Sequence, residues 1–464
     1  MKIITMVLTA CALSATASAQ IPDFTPQTPL IGALLHNDRS AAKQLLESGA
    51  DPNEGQFFGM PPVLLAIVRQ DLDLVRLLEA KGADLTVRDR SGSTALMWAA
   101  FSETGDAATV EELLRLGADP AAANNAGETA LDWALRRGDT PAAAALRKAG
   151  ASETRAMKMA VEKSIALLQS SGSQFSRTSG CTSCHHQYLP QIAFGIARER
   201  GIAFDEAAAR RQSDATLTLL NRVRIEAVQN RDRIPDVPVS VSYALLSLSA
   251  GHHAADETTE AMTRVIGAWQ GEDGAFYPLP PMRPPIEAGA FTATALSLRA
   301  LQLYGSKEEA RIGRAIHWLR AATPRTTEER AMQLLGLAWA KAPAESVRKS
   351  AEALLREQRP DGGWAQLPTL ETDAYATGQA LVALQTSGHD VASAAYRRGV
   401  AYLLRTQFSD GSWLVRSRTF PVQPLKDSGF PHGKHQWISA AGTSWATMAI
   451  ALALPAQSSS GTIQ

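Results

Sequence analysis

Cys181-Thr182-Ser183-Cys184-His185 is the stretch whose residue types and spacing could do chemistry. C-x-x-C-H is the pattern by which a chain holds haem covalently through two thioethers and binds its iron with the histidine, so it predicts haem c on Cys181, Cys184 and His185. The chain has three cysteines, and the third, Cys11, lies in an apparent export signal. The mature chain would thus spend both remaining thiols here, which argues against a disulfide framework. Two other readings stay open: a local disulfide or reactive dithiol, and, with His185 and His186, half of a zinc site whose further thiolates are missing.

Location fits the first reading. Met1-Lys2 gives a basic start, Ile3 to Leu13 a short apolar run, and Ala17-Ser18-Ala19 a cleavage site before Gln20, so residues 1–19 read as a signal peptide and the protein as periplasmic or secreted. Leu8-Thr9-Ala10-Cys11 offers a lipoprotein alternative. Across 464 residues the basic and acidic counts are equal at 46 each, which gives no field for attracting nucleic acid. The uncharged run Trp437 to Leu454 is diluted by Ser439, Gly442, Thr443, Ser444 and Thr447, so it reads as a buried helix and no membrane span is expected.

The elements that must position the motif come in two kinds. Gly49-Ala50-Asp51, Gly82-Ala83-Asp84, Gly117-Ala118-Asp119 and Gly150-Ala151-Ser152 recur at spacings of 33, 35 and 33. Thr94-Ala95-Leu96 and Thr129-Ala130-Leu131 open first helices, and Leu45-Leu46, Leu77-Leu78 and Leu113-Leu114 fall on second ones. With Thr28-Pro29-Leu30 at the start, residues 27–152 resemble ankyrin repeats, with the two extra residues placed in Ser102 to Ala108. The resemblance implies a stacked helical solenoid that binds a protein partner.

From 155 to 455, amphipathic helices alternate with loops that repeat one phrase: Gln270 to Phe276, Gln358 to Trp364 and Gln407 to Trp413, each a glutamine, an Asp-Gly and an aromatic. This is similar to the glutamine-tryptophan repeat of squalene-hopene and oxidosqualene cyclases, and it implies an all-α fold, an α/α toroid following the ankyrin solenoid. Outer helices are expected near Met157, Asp205, Asp256, Lys307, Ala344 and Val391, with inner partners near Gln187, Val239, Gly289, Thr327, Asp373 and Gln436. Six such hairpins could close a ring, with hairpin one beside hairpin six. Residues 456–464 read as a disordered tail.

In that ring the motif occupies the outer-to-inner loop of hairpin one, so a second iron ligand must come from the same end. His432 and His435, in the long loop of hairpin six, meet that condition; Met157, Met282 or an open sixth position are alternatives, while His252 and His253 belong to the far end. Cyclases of this kind start their cascade with an aspartic acid heading an inner helix, and Asp373 in Thr372-Asp373-Ala374-Tyr375-Ala376 falls on that place, although the flanking aspartates are absent. A helix N-cap explains Asp373 equally. Trp269, Phe291, Trp339, Tyr375 and Trp445 could line an apolar cavity or simply fill the core.

Two functions follow as expectations. One is an exported haem protein whose ring binds an apolar or isoprenoid molecule beside a redox centre. The other is a non-catalytic scaffold using the ankyrin and toroid surfaces, or a class II cyclase-like enzyme with Asp373 as acid.

Overall fold

The computed structural model describes residues 26–125, 128–151, 154–180, 182–229, 234, 236–280, 282–287, 289–420 and 425–454. The expected signal peptide, Cys11 of the lipoprotein alternative, Cys181 and the expected disordered tail lie outside them. Every regular element among these residues is helical, and the β-pairings are isolated bridges such as Phe57 with Met60 and Gln270 with Phe276. Two compact units are formed, one running up to Ala130 with Lys148–Gly150, the other made of Leu131–Arg147 and everything from Ala151.

The repeat array contains α1 (Pro29–Leu35), α2 (Arg39–Glu47), α3 (Pro62–Val68), α4 (Leu72–Ala80), α5 (Ala95–Ala100), α6 (Ala108–Arg115), α7 (Ala130–Leu135) and α8 (Pro141–Lys148). Thr28 and Thr94 cap α1 and α5 through their hydroxyls, as the threonine phrase implies. The Gly-Ala-Asp phrase has a mechanical cause. Gly49, Gly82, Gly117 and Gly150 end the second helices at φ of +95°, +92°, +88° and +87°, with nothing near a would-be Cβ, so backbone conformation alone demands glycine. Two residues on, Asp51, Asp84 and Asp119 each accept an amide from their own turn at 2.8 Å. The link between α5 and α6 runs from 101 to 107, longer than the three-residue link between α3 and α4, which accounts for the long spacing. Among α1 to α6, which belong to the first unit, α1 packs on α3 and α3 on α5, sharing the core that no single pair could bury.

The second unit carries outer helices α9 (Thr154–Ser179), α11 (Glu206–Gln229), α13 (Glu257–Ala268), α15 (Glu309–Ala321), α17 (Ala344–Leu355) and α19 (Ala394–Thr406). Their inner partners are α10 (Leu189–Glu199), α12 (Val237–Ala250), α14 (Ala290–Tyr304), α16 (Thr327–Trp339), α18 (Ala374–Thr386) and α20 (Gln436–Ala453). Inner helices pack in sequence, and α20 packs on both α10 and α9, so the ring closes. A bond between Thr447 and Ser164 hydroxyls at 2.7 Å crosses that seam. Nearly every residue of α18 and α20 is buried, which is why their sequences are mostly apolar or small and carry no charge. Among the described residues no helix is long and apolar enough to cross a membrane.

The three glutamine turns work identically, and more broadly than their helix ends require. The amides of Gln270, Gln358 and Gln407 each donate to their own turn and to a carbonyl of the next outer helix: Arg311 at 2.9 Å, Ala395 at 2.7 Å and Ala160 at 2.9 Å. The orphan helix-end carbonyls go to the indoles instead, Trp364 to Leu354 and Trp413 to Leu403, both at 2.9 Å. Inner helices hold each turn through a threonine hydroxyl that accepts the aromatic residue's amide: Thr294, Thr377 and Thr443 at 2.9, 2.9 and 3.1 Å.

Small residues let the inner helices approach. A Cβ on Gly378 of α18 would stand 2.5 Å from the Trp445 carbonyl carbon of α20, which is backbone and cannot yield. Gly378→Ala is therefore expected to cost about 1–3 kcal/mol, read as a lower urea midpoint at unchanged slope.

Candidate functional site

Between α9 and α10, where sister hairpins carry the glutamine turn, the chain turns at Gly180 with φ +64° and enters a π-turn, Cys184–Tyr188. Ser183 caps it, its hydroxyl accepting the His186 amide at 3.3 Å. Gln187 takes the tethering role: its oxygen accepts the Ser183 amide at 2.8 Å and its nitrogen donates to Gly172 of α9 at 2.9 Å. A Cβ on Gly172 would lie 2.5 Å from the His186 carbonyl oxygen, so this glycine lets α9 come close to the turn.

The turn splits its residues between two environments. His185 edges a cavity of about 370 Å³ with Arg283, Pro284, Ile286, Phe420, Leu425, Lys434, His435, Trp437 and Ile438 among its walls. Burial, with Arg283 adding, holds the His185 imidazole down to about 3, so the ring is neutral and keeps a free lone pair. His186 points elsewhere: it is fully buried, lies parallel on Phe175 at 4.7 Å and meets the edge of Trp437 at 6.4 Å. Neither of its ring nitrogens has a hydrogen-bond partner, and burial keeps it uncharged as well. Cys184 is a free, buried thiol, pushed well above its ordinary value by burial and by Glu287.

Around that thiol sits an acid pair. Glu287 is ion-paired with Arg283 and only 3% exposed, and burial raises its carboxyl to about 7. Asp236, also raised by burial, accepts the Leu279 amide at 3.2 Å. Arg283 thus reaches the cavity while anchored from behind. Among the described residues no set of three or more metal-ligating side chains forms, which leaves the zinc alternative without further donors there.

The two hairpin-six histidines separate. His435 shares the cavity with His185, and its Nδ1 accepts the Ser417 amide at 3.1 Å. His432 lies outside the cavity's walls; its Nε2 meets the Ser412 hydroxyl at 2.8 Å and its ring packs on Phe408 at 5.0 Å. His253 follows α12, at the far end of that hairpin, where it pairs with Asp256.

Asp373 caps α18, its carboxylate accepting the Ala376 amide at 3.0 Å, while burial raises it to about 6. The sequence reading missed Glu328. It stands in the first turn of α16 beside Glu329, which completes the capping box with Thr326, and a capping motif masks a second acid. Thr292 donates to one Glu328 oxygen at 3.0 Å, and burial lifts the carboxyl to about 7 against the opposing pull of Thr292, Gln379 and Tyr375. Tyr375 and Gln379 of α18 act on the Glu328 carboxyl, Trp445 of α20 acts on the Tyr375 hydroxyl, and the Tyr243 hydroxyl of α12 is buried on the neighbouring inner helix. Phe291, Tyr375 and Trp445 are core, and none of the five aromatics named from sequence walls the cavity beside His185.

Two stretches of the chain match known families. Residues 319–462 match the squalene-hopene cyclase C-terminal domain. Residues 30–124 and 63–157 match ankyrin repeats, in three copies. The cyclase-like match runs from the end of α15 through hairpin six, takes in Asp373 and the cavity-walling loop before α20, and leaves out the cysteine motif and the 283–286 segment.

Glu328 makes a pH prediction. Its folded-state value is above the unfolded one, so its contribution is unimpaired below about 4.5 and is lost as pH rises to about 7. Glu328→Gln should therefore reduce the fall in unfolding free energy between pH 5 and pH 8 by on the order of 3 kcal/mol, measured by urea denaturation.

Proposed function

We propose that this is an exported haem c protein in which the cyclase-like toroid carries the group at hairpin one and the ankyrin array holds a protein partner. The observation that carries this reading is His185: a neutral imidazole, next to a buried thiol, at the edge of an apolar cavity that also holds two cations. Those features fit an iron porphyrin. Cys181 and Cys184 would hold it through thioethers, with His185 as iron ligand. Arg283, braced by Glu287, and Lys434 would neutralise its carboxylates. Pro284, Ile286, Leu425 and Ile438 give it apolar walls, and Trp437, 5.9 Å from the His185 ring and tied to the Lys426 carbonyl at 2.9 Å, limits how that ring can turn. When bound, the group supplies one-electron redox chemistry.

The test is spectroscopic. Protein co-expressed with haem-attachment machinery and recovered from the periplasm should give a pyridine haemochrome band that persists after acid-acetone extraction. Cys181→Ser with Cys184→Ser should abolish it. Colourless protein of apoprotein mass would leave the scaffold reading, in which array and toroid serve as binding surfaces alone.

A second reading rests on a different observation, the burial that lifts Asp373 to about 6 at the head of α18. There Asp373 would act as the proton donor of a class II cyclase-like reaction on a squalene-like substrate. Asp373→Asn keeps a side chain able to cap the helix, so it should fold and lose turnover. Equal product from variant and parent removes Asp373 from the chemistry.

A further inference from the structure

His185 and His435 edge the same cavity, yet their imidazoles are not equivalent. The Ser417 backbone N–H donates to His435 Nδ1 at 3.1 Å. A peptide N–H can only donate, so Nδ1 presents its lone pair and the proton of the neutral ring resides on Nε2. Burial, with Lys434 and Arg416 adding, keeps this ring below its ordinary titration range. An imidazole that binds a metal through Nε2 requires the reverse arrangement, with Nδ1–H donating to a carbonyl, carboxylate or water. His435 is therefore preset as a donor.

His432 cannot take the ligand role in its place. The Ser412 hydroxyl donates to Asp410 at 2.7 Å, so toward His432, 2.8 Å away, it acts as acceptor and fixes the proton on His432 Nε2 too. That histidine is also held between Phe408 and Phe430, at 5.0 and 6.4 Å, away from the cavity's walls. Of the remaining described wall residues, Lys434 alone carries a nitrogen able to lose its proton, and it is exposed.

Resting on the haem reading above, we infer that His435 is a hydrogen-bond donor to a small exogenous ligand of the iron, and not the second axial ligand. The ligand class is a small molecule or anion with a lone pair free to accept from Nε2–H, for which cyanide is a usable probe. The toroid would then be a ligand-binding haem protein, distinct from a closed bis-histidine electron carrier. Trp437 and the His185 end of the cavity supply the apolar surroundings in which one such hydrogen bond counts.

Two measurements separate this inference from the reading beneath it. In long-range proton–nitrogen spectra of the histidine-labelled apoprotein, the resonances lost in His435→Gln should show an unprotonated Nδ1 and a protonated Nε2; the opposite tautomer overturns the inference whether or not haem is carried. In holoprotein with a verified haemochrome, the ferric spectrum should be that of an iron with an exchangeable position, unchanged in spin state by His435→Leu. Cyanide should bind His435→Leu about tenfold more weakly than the parent, the equivalent of one hydrogen bond, with His435→Gln recovering part of the loss through its amide donor. A low-spin parent that becomes high-spin in His435→Leu, or equal cyanide affinity in both, overturns the inference and leaves the haem assignment standing. Protein without any haem overturns the assignment and the inference together.

Discussion

Closure of the helical ring is the constraint on which the rest depends. Each glutamine turn is hydrogen-bonded to the next outer helix, and the last, Gln407, reaches the Ala160 carbonyl of the first, α9. At the same join a Cβ on Gly411 would stand 2.6 Å from the Lys163 backbone, and the Thr447 hydroxyl meets Ser164. The cavity beside His185 is assembled from hairpin one, the 283–286 segment before α14 and the long loop before α20. Its walls are far apart in sequence, so they meet only because the ring closes. Fold and site are in this sense one problem.

Low polarity at that end of the ring explains the charge states found there. Burial drives His185, His186 and Cys184 to neutral forms and raises Glu287 and Asp236, all for the same cause: a charge removed from water without compensation is costly. Arg283 is ion-paired with Glu287. The result is a cavity edged by the neutral His185 ring, with Arg283 and Lys434 among its walls. Glu328 obeys the same rule deeper among the inner helices, where Tyr375 and Gln379 of α18 act on its buried carboxyl.

Much of this was legible in the chain itself. The Gly-Ala-Asp spacing marks helix ends whose φ only glycine takes readily, and the extra two residues of the third copy fall in the 101–107 link. All twelve toroid helices begin close to the positions read from the alternation of apolar stripes and turn phrases, because those signals are local. Asp373 shows the limit. Its place at the head of an inner helix was readable, but its bond to the Ala376 amide and its burial come from packing. Glu328 was hidden because two adjacent glutamates at a helix start look alike, and only the ring's interior distinguishes the one that caps from the one that is buried.

What the sequence by itself determined is therefore the periodic part: two repeat systems, twelve helix positions in the toroid, and a thiol-thiol-imidazole spacing that chemistry can use, since each depends on neighbours along the chain. The tertiary structure decided which histidine shares the cavity with His185 and on which nitrogen each hairpin-six ring carries its proton. Those facts turn on a serine amide at Ser417 and a hydroxyl at Ser412, brought to His435 and His432 by the folded loop of hairpin six. Spacing sets what a residue can be; the partner that folding places against it sets which of those things it is.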